Sequence, residues 1–76
     1  MAIAFVLVDT EVGKTQQILD EIRKIEGVTE AYSVAGPHDI IVKIQAEKFE
    51  RVAEGVTRQL HKIEGIKSTV TLFAFE

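Results

Sequence analysis

The sequence predicts an α+β fold in which a four-stranded antiparallel sheet carries two helices on one face. Three observations lead there. Lys24-Ile25-Glu26-Gly27-Val28 recurs as Lys62-Ile63-Glu64-Gly65-Ile66, so the 76 residues divide into two alike halves. Within each half the apolar period changes from strand-like to helix-like and back. Between the halves lies Gly36-Pro37-His38-Asp39, a run of turn formers that reads as a hairpin joining the second and third strands. The element order is therefore strand, helix, strand, strand, helix, strand, and residues 1–76 are read as one domain.

From Ala2 to Val8 there is no polar side chain. Ile3, Phe5 and Leu7 share one parity and Ala4, Val6 and Val8 the other, as expected of a central strand with two apolar faces. Asp9 to Gly13 is read as a connection. The first helix is predicted from Lys14 or Thr15 to Ile25, with Ile18, Leu19, Ile22 and Ile25 on one stripe, and Gly27 ends it as a residue of positive φ. Val28 to Ala35 alternates less regularly. Glu30 interrupts its apolar parity, as happens at a sheet edge, where an inward charge discourages pairing with another chain. After the turn, Ile40, Val42 and Ile44 are expected to meet the helices, and Ile41, Lys43 and Gln45 to face away.

The second helix is predicted from about Glu47 to Lys62. Phe49, Val52, Ala53, Val56, Leu60 and Ile63 recur at three- and four-residue spacing, and Glu47 with Arg51 and Glu54 with Arg58 are expected to pair on its exposed side. Gly55 costs this helix about 1 kcal/mol relative to Ala, which close packing against a neighbouring element would explain. The last strand, Ile66 to Phe75, is read with Ile66, Val70, Leu72 and Ala74 on one face and Lys67, Thr69, Thr71, Phe73 and Phe75 on the other, away from the helices. The first and third strands are the most apolar and should be central. The whole is the ferredoxin-like βαββαβ arrangement. Val6, Val8, Ile41, Phe73 and Phe75 are expected on the sheet face that the helices leave open, and such a patch predicts a homodimer formed sheet against sheet.

Composition narrows the function. A chain of 8.5 kDa has a small core, and with no cysteine neither a disulfide nor a thiolate metal site can reinforce it. Oligomerisation is the remaining device. Nine basic residues are interleaved with twelve acidic ones for a net charge of -3, so direct DNA or RNA binding is not expected. The first apolar run meets Asp9 too early for a signal peptide or a membrane span, and a cytoplasmic protein is the expectation.

No catalytic constellation assembles from the polar residues. His38 and Asp39 are adjacent, so along a strand their side chains point to opposite faces. Asp39 is open to two readings, as an acceptor for turn N–H groups or as a contact for a ligand. His61 falls on the polar face of the second helix. Two distant histidines offer no zinc spacing, and no cofactor is expected. Val12-Gly13-Lys14-Thr15 carries only the tail of a phosphate-loop motif. Tyr32, Phe73 and Phe75 could stack bases on a sheet, but the arginine-aromatic signature of RNA readers is missing.

Taken together, Glu26-Gly27-Val28, the strand from Ala31 to Val34, Gly36-Pro37-His38-Asp39 leading into an apolar strand, and Gly65-Ile66 with Ser68, Thr69 and Thr71 resemble the effector-binding and oligomerisation (RAM) domain of the Lrp/AsnC transcription regulators. The resemblance covers nearly the whole chain, and its most specific piece is Gly-x-x-Asp followed by two hydrophobic residues. It implies a non-catalytic module whose domains dimerise through their sheets, whose dimers form an octamer or similar ring, and which binds a small amino acid at contacts between dimers. The positions it implicates are Gly36, Pro37, His38 and Asp39, with Ser68, Thr69 and Thr71 from the last strand. The chain starts directly with the first sheet strand, which reads as a stand-alone form of the module that modulates transcription through full-length regulators. Two other classes compete: a small dimeric α+β barrel enzyme, requiring Tyr32, His38 and Asp39 to converge in a cavity, and a purely structural protein-interaction module.

Overall fold

The structure, a computed structural model, describes residues 1–75. Strands β1 (Ala2–Thr10), β2 (Val28–Ser33), β3 (Ile40–Ala46) and β4 (Ile66–Ala74) form one sheet in the order β2-β3-β1-β4, with every neighbouring pair antiparallel. The first and third strands are central, as their apolar character requires. Helix α1 spans Thr15–Ile22, shorter than the periodicity suggested, and the chain continues through turns to Gly27. The second helix, α2, is helical over 49–61: a π-helical stretch, Arg51–Val56, leads into a regular α-helical segment, Thr57–His61. No helix among the described residues is long and apolar enough to cross a membrane.

The core lies between the helices and one sheet face. Ala4, Val6 and Val8 of β1, Ile40, Val42 and Ile44 of β3, Ile18, Leu19 and Ile22 of α1, and Val52, Val56 and Leu60 of α2 are all buried. Burying one such Val, Ile or Leu side chain stabilises by about 1.5–3 kcal/mol, so this layer is the dominant favourable contribution. The expectation that Val6 and Val8 face away from the helices is therefore corrected. The smaller residues of β1 lie beneath the helices, and Ile3, Phe5 and Leu7 take the open face.

In β4 the predicted faces are also exchanged. Phe73 pairs across from Ala4 on the helix side and packs on Phe49, ring centroids 4.4 Å apart, whereas Leu72 lies opposite Phe5 and Val70 opposite Leu7 on the open side. Phe75 follows the strand and is exposed. The reason is a bulge: Thr10 aligns with Ile66 but Asp9 with Ser68, so one extra residue of β4 resets the alternation. An equivalent irregularity in β2 lets Val28 align with Ile44 and Ala31 with Val42, so residues of unlike parity both reach the core. Both bulges fall directly after the repeated Gly-hydrophobic junction.

Those junctions lock the halves together. Gly27 has φ +102°, and a Cβ there would lie 2.9 Å from Val56 of α2; a Cβ on Gly65 would lie 3.0 Å from Ile18 of α1. Each glycine thus lets one half of the chain approach the other half's helix more closely than alanine would allow. The predicted close packing at Gly55 is not found, since a Cβ there would meet nothing nearer than Arg51 Cδ at 3.9 Å. Arg51 reaches Glu26 (3.5 Å) rather than Glu47, which precedes the helix, and Glu54 with Arg58 forms no ion pair. The π-helical stretch shifts Glu54 and Arg58 off the i,i+4 register on which their predicted pair relied.

Edge strand β2 is partly shielded. Arg23, which follows α1, donates from Nε (3.1 Å) and Nη2 (2.7 Å) to the Ala31 carbonyl, and on the open face Glu30 pairs with Lys43 (3.7 Å). A charged group at a sheet edge opposes pairing with a second chain.

Candidate functional site

The hairpin between β2 and β3 is closed by the Val34 N–H, which donates to the Asp39 carbonyl (2.9 Å), leaving residues 35–38 as its loop. Gly36 lies at φ +141°, a region other residues rarely adopt, and Pro37 rigidifies the step that follows. The Asp39 N–H donates to the Val8 carbonyl (3.0 Å), so the base of the hairpin rests against the end of β1. There the adjacent pairs Asp9-Thr10 and His38-Asp39 engage each other reciprocally, each contributing one carboxylate.

On one side, Asp39 Oδ2 accepts the Thr10 N–H (2.8 Å) and lies 3.4 Å from the Thr10 hydroxyl. The Thr10 hydroxyl in turn shares a 2.7 Å hydrogen bond with Thr15 in the first turn of α1. Thr10 stands at the β1–β4 irregularity, where the ladder is interrupted, and is only 7% exposed. A buried N–H left unpaired there would cost about 1–3 kcal/mol, and the Asp39 carboxylate supplies the missing acceptor.

On the opposite side, the rungs of the open face run Ile3 with Ala74, Phe5 with Leu72, Leu7 with Val70 and finally Asp9 with Ser68. Ser68 donates to Asp9 Oδ2 (2.7 Å), and His38 Nδ1 lies 3.0 Å from Asp9 Oδ1. The Ser68 hydrogen bond, then that from His38, holds the Asp9 carboxyl below its ordinary value of 3.8. An apolar stripe thus ends in a polar rung, against which the hairpin leans. The carboxylate sits between hydroxyl and imidazole, so this is not a nucleophile–base pair.

The structure therefore joins Gly36, Pro37, His38 and Asp39 in one hairpin and links Ser68 to it through Asp9. Thr69 and Thr71 lie on the helix side of β4, opposite Val8 and Val6, and Thr69 shares a 3.1 Å hydrogen bond with His61 Nε2. Tyr32 does not meet His38: its hydroxyl donates to Glu30 (2.8 Å) on the open face. Lys14, in the partial phosphate-loop motif, lies 3.5 Å from Glu11 and 3.8 Å from Glu64. Among the described residues no group of three or more His, Cys, Asp or Glu could hold a metal ion. Asp9 and Thr10 were missed as site residues because the apolar run ends before them and their partners lie 29 and 59 residues away, beyond any local pattern.

Comparison with known proteins agrees with this architecture. The family model of the Lrp/AsnC ligand binding domain matches residues 3–76. The HTH-type transcriptional regulator PF0250 of Pyrococcus furiosus, itself uncharacterised, is 41% identical over 75 residues, covering 95% of this chain and 50% of its own length. The chain spans about half the length of the curated relatives it matches. Among solved structures, TTHA0845 from Thermus thermophilus superposes with a TM-score of 0.92 at 33% identity, covering 100% of this chain and 95% of that one. PHS023 from Pyrococcus horikoshii gives 0.91 at 30% identity, covering 100% and 92%. The curated relatives are HTH-type transcriptional regulators and the matching family model is that of a ligand-binding domain, a non-enzymatic family. With the βαββαβ topology and the Gly-x-x-Asp hairpin in place, the chain belongs to the Lrp/AsnC ligand binding domain family.

Proposed function

We propose that this domain is an amino-acid-sensing and oligomerisation module of the cytoplasm that acts without direct DNA contact of its own. Two copies pair through their open sheet faces, dimers assemble further into an octamer or similar ring, and a small amino acid binds beside the hairpin where dimers meet. Occupancy then modulates transcription through full-length Lrp/AsnC regulators. The observation that carries this reading is the uncovered apolar stripe ending in a polar hairpin: Leu72 is 51% and Val70 43% exposed, in line with Leu7, Phe5 and the Asp9–Ser68 rung. A stripe of this kind favours a partner surface of like character. Gly36, Pro37, His38, Asp39 and Ser68 form the principal contact set. Thr69 and Thr71 contribute only where a ligand reaches the helix side of β4.

The family membership supports a ligand site, and the Neisseria meningitidis regulator NMB0573, which shares the fold at 16% identity, was solved as a complex with L-Met. One observation favours a structural module instead, namely that the Asp39 carboxylate is already engaged by Thr10. Calorimetric titration of the common amino acids at a defined oligomeric state separates the two. Saturable binding with a change in assembly supports sensing; absence of binding at millimolar concentration together with a stable oligomer supports the structural role.

A further inference from the structure

The side-chain cluster Asp9, His38 and Ser68 has a chemical consequence beyond holding the hairpin in place. Asp9 is ionised above the carboxylate range and can only accept hydrogen bonds. The 3.0 Å contact between His38 Nδ1 and Asp9 Oδ1 therefore requires a proton on Nδ1. In a neutral imidazole the other nitrogen, Nε2, then carries the lone pair. Among the described residues Nε2 of His38 has no hydrogen-bond partner, and no buried side-chain nitrogen or oxygen lacks one, so Nε2 is open to solvent. A neutral histidine side chain free in water favours the opposite tautomer, with the proton on Nε2. Ser68 strengthens the selection by donating to the second Asp9 oxygen, which orients the carboxylate toward the ring.

We propose that Asp9 is a positioning residue which fixes His38 as its Nδ1–H tautomer, so that the hairpin presents Nε2 as a hydrogen-bond acceptor to an N–H or ammonium group of the bound ligand. This rests on the ligand-binding reading of the hairpin and adds a chemical specificity to it: a ligand carrying a protonated amine or an amide N–H, rather than an anion, faces His38. Asp9 acts through His38 and does not itself touch the ligand.

The test is a long-range proton–nitrogen correlation spectrum of 15N-labelled protein on the alkaline side of the imidazole titration. The chain has two histidines, so a His61→Gln variant assigns both resonance sets. The wild type is expected to show the Nδ1–H pattern for His38. Asp9→Ala should revert it to Nε2–H, while Asp9→Asn, whose amide oxygen still accepts from Nδ1, should retain it. An Nε2–H pattern in the wild type, or no change in Asp9→Ala, overturns the inference whether or not a ligand binds. The second arm titrates the common amino acids: one that binds should perturb the His38 Nε2 resonance and bind Asp9→Ala at least about tenfold more weakly, as loss of one hydrogen bond of about 1.4 kcal/mol would give. Equal affinity for Asp9→Ala overturns the acceptor role. No binding by any amino acid overturns the sensing reading and the acceptor role with it, leaving the tautomer result to stand separately.

Discussion

Replacing Asp39 by alanine removes the acceptor for the Thr10 N–H at a point where the sheet ladder supplies none. A hydrogen bond to a charged group contributes about 1.5–3 kcal/mol, and the stranded N–H of Thr10 places this case toward the upper half of that range. Asp39→Asn keeps an acceptor oxygen and loses only charge assistance, roughly half of the interaction, so its cost is expected near 1 kcal/mol. The hydroxyl of Thr10 retains Thr15 in both variants, so the loss is confined to one backbone donor and the hairpin's hold on it. Urea unfolding followed by circular dichroism at fixed protein concentration measures this. With a denaturant slope of about 1 kcal/mol/M for a domain this small, the midpoint should fall by about 2–3 M for Asp39→Ala and about 1 M for Asp39→Asn. A midpoint for Asp39→Ala within about 0.5 M of wild type would refute the argument that this carboxylate completes the sheet at the β1 irregularity. The ordering also matters for ligand work: an affinity lost equally in the Ala and Asn variants points to the charge, and one lost only in the Ala variant points to displacement of the hairpin.

Four further outcomes are expected. Gly27→Ala should destabilise by roughly 2–4 kcal/mol, combining the positive-φ penalty with overpacking against Val56, whereas Gly55→Ala, whose Cβ would meet only Arg51 Cδ at an ordinary 3.9 Å, should stabilise by about 1 kcal/mol; both read as shifts in thermal midpoint. Because the Asp9 carboxyl is held below 3.8 in the folded chain, its contribution to stability is present above that value and lost as pH falls through the lowered one. The difference in urea midpoint between wild type and Asp9→Ala should therefore shrink on acidification. Tyr32 is the only tyrosine and no tryptophan is present, so its phenolate absorbance titrates alone; the hydrogen bond to Glu30 raises it above 10.0, and Glu30→Gln should lower it again. Leu72→Lys, which places a charge mid-stripe on the open face, should convert the proposed dimer to monomer in sedimentation analysis without unfolding the chain.

Much of the fold was legible because it rests on local signals. The apolar runs of β1 and β3 exposed the central pair, the Ile18–Leu19–Ile22 stripe located α1, and the repeated Gly-hydrophobic junction located the starts of β2 and β4. The face assignment of β4 was not legible. A bulge adds one residue without any distinctive side chain, Lys67 being unremarkable in a strand, yet it exchanges every residue after it between core and open face. The same holds for β2, where Val28 and Ala31 both point inward. The π-helical stretch of α2 likewise left no mark on the three- and four-residue spacing of its apolar positions.

The candidate site divides in the same way. Gly36, Pro37, His38 and Asp39 stood out as a turn because their own backbone preferences demand one, and the opposed directions of His38 and Asp39 followed from strand geometry. What each of them grips did not. Sequence by itself determined the element order, the two-half architecture, the core residues of β3 and α1, and the hairpin at the centre, since all of these follow from period, turn chemistry and repetition. Only the tertiary structure decided that Asp9 and Thr10 are the hairpin's partners, that Ser68 joins them while Thr69 and Thr71 turn to the other face, and which apolar residues remain uncovered. Those outcomes depend on strand register, and register is chosen by packing the whole sheet beneath its helices rather than by any segment alone.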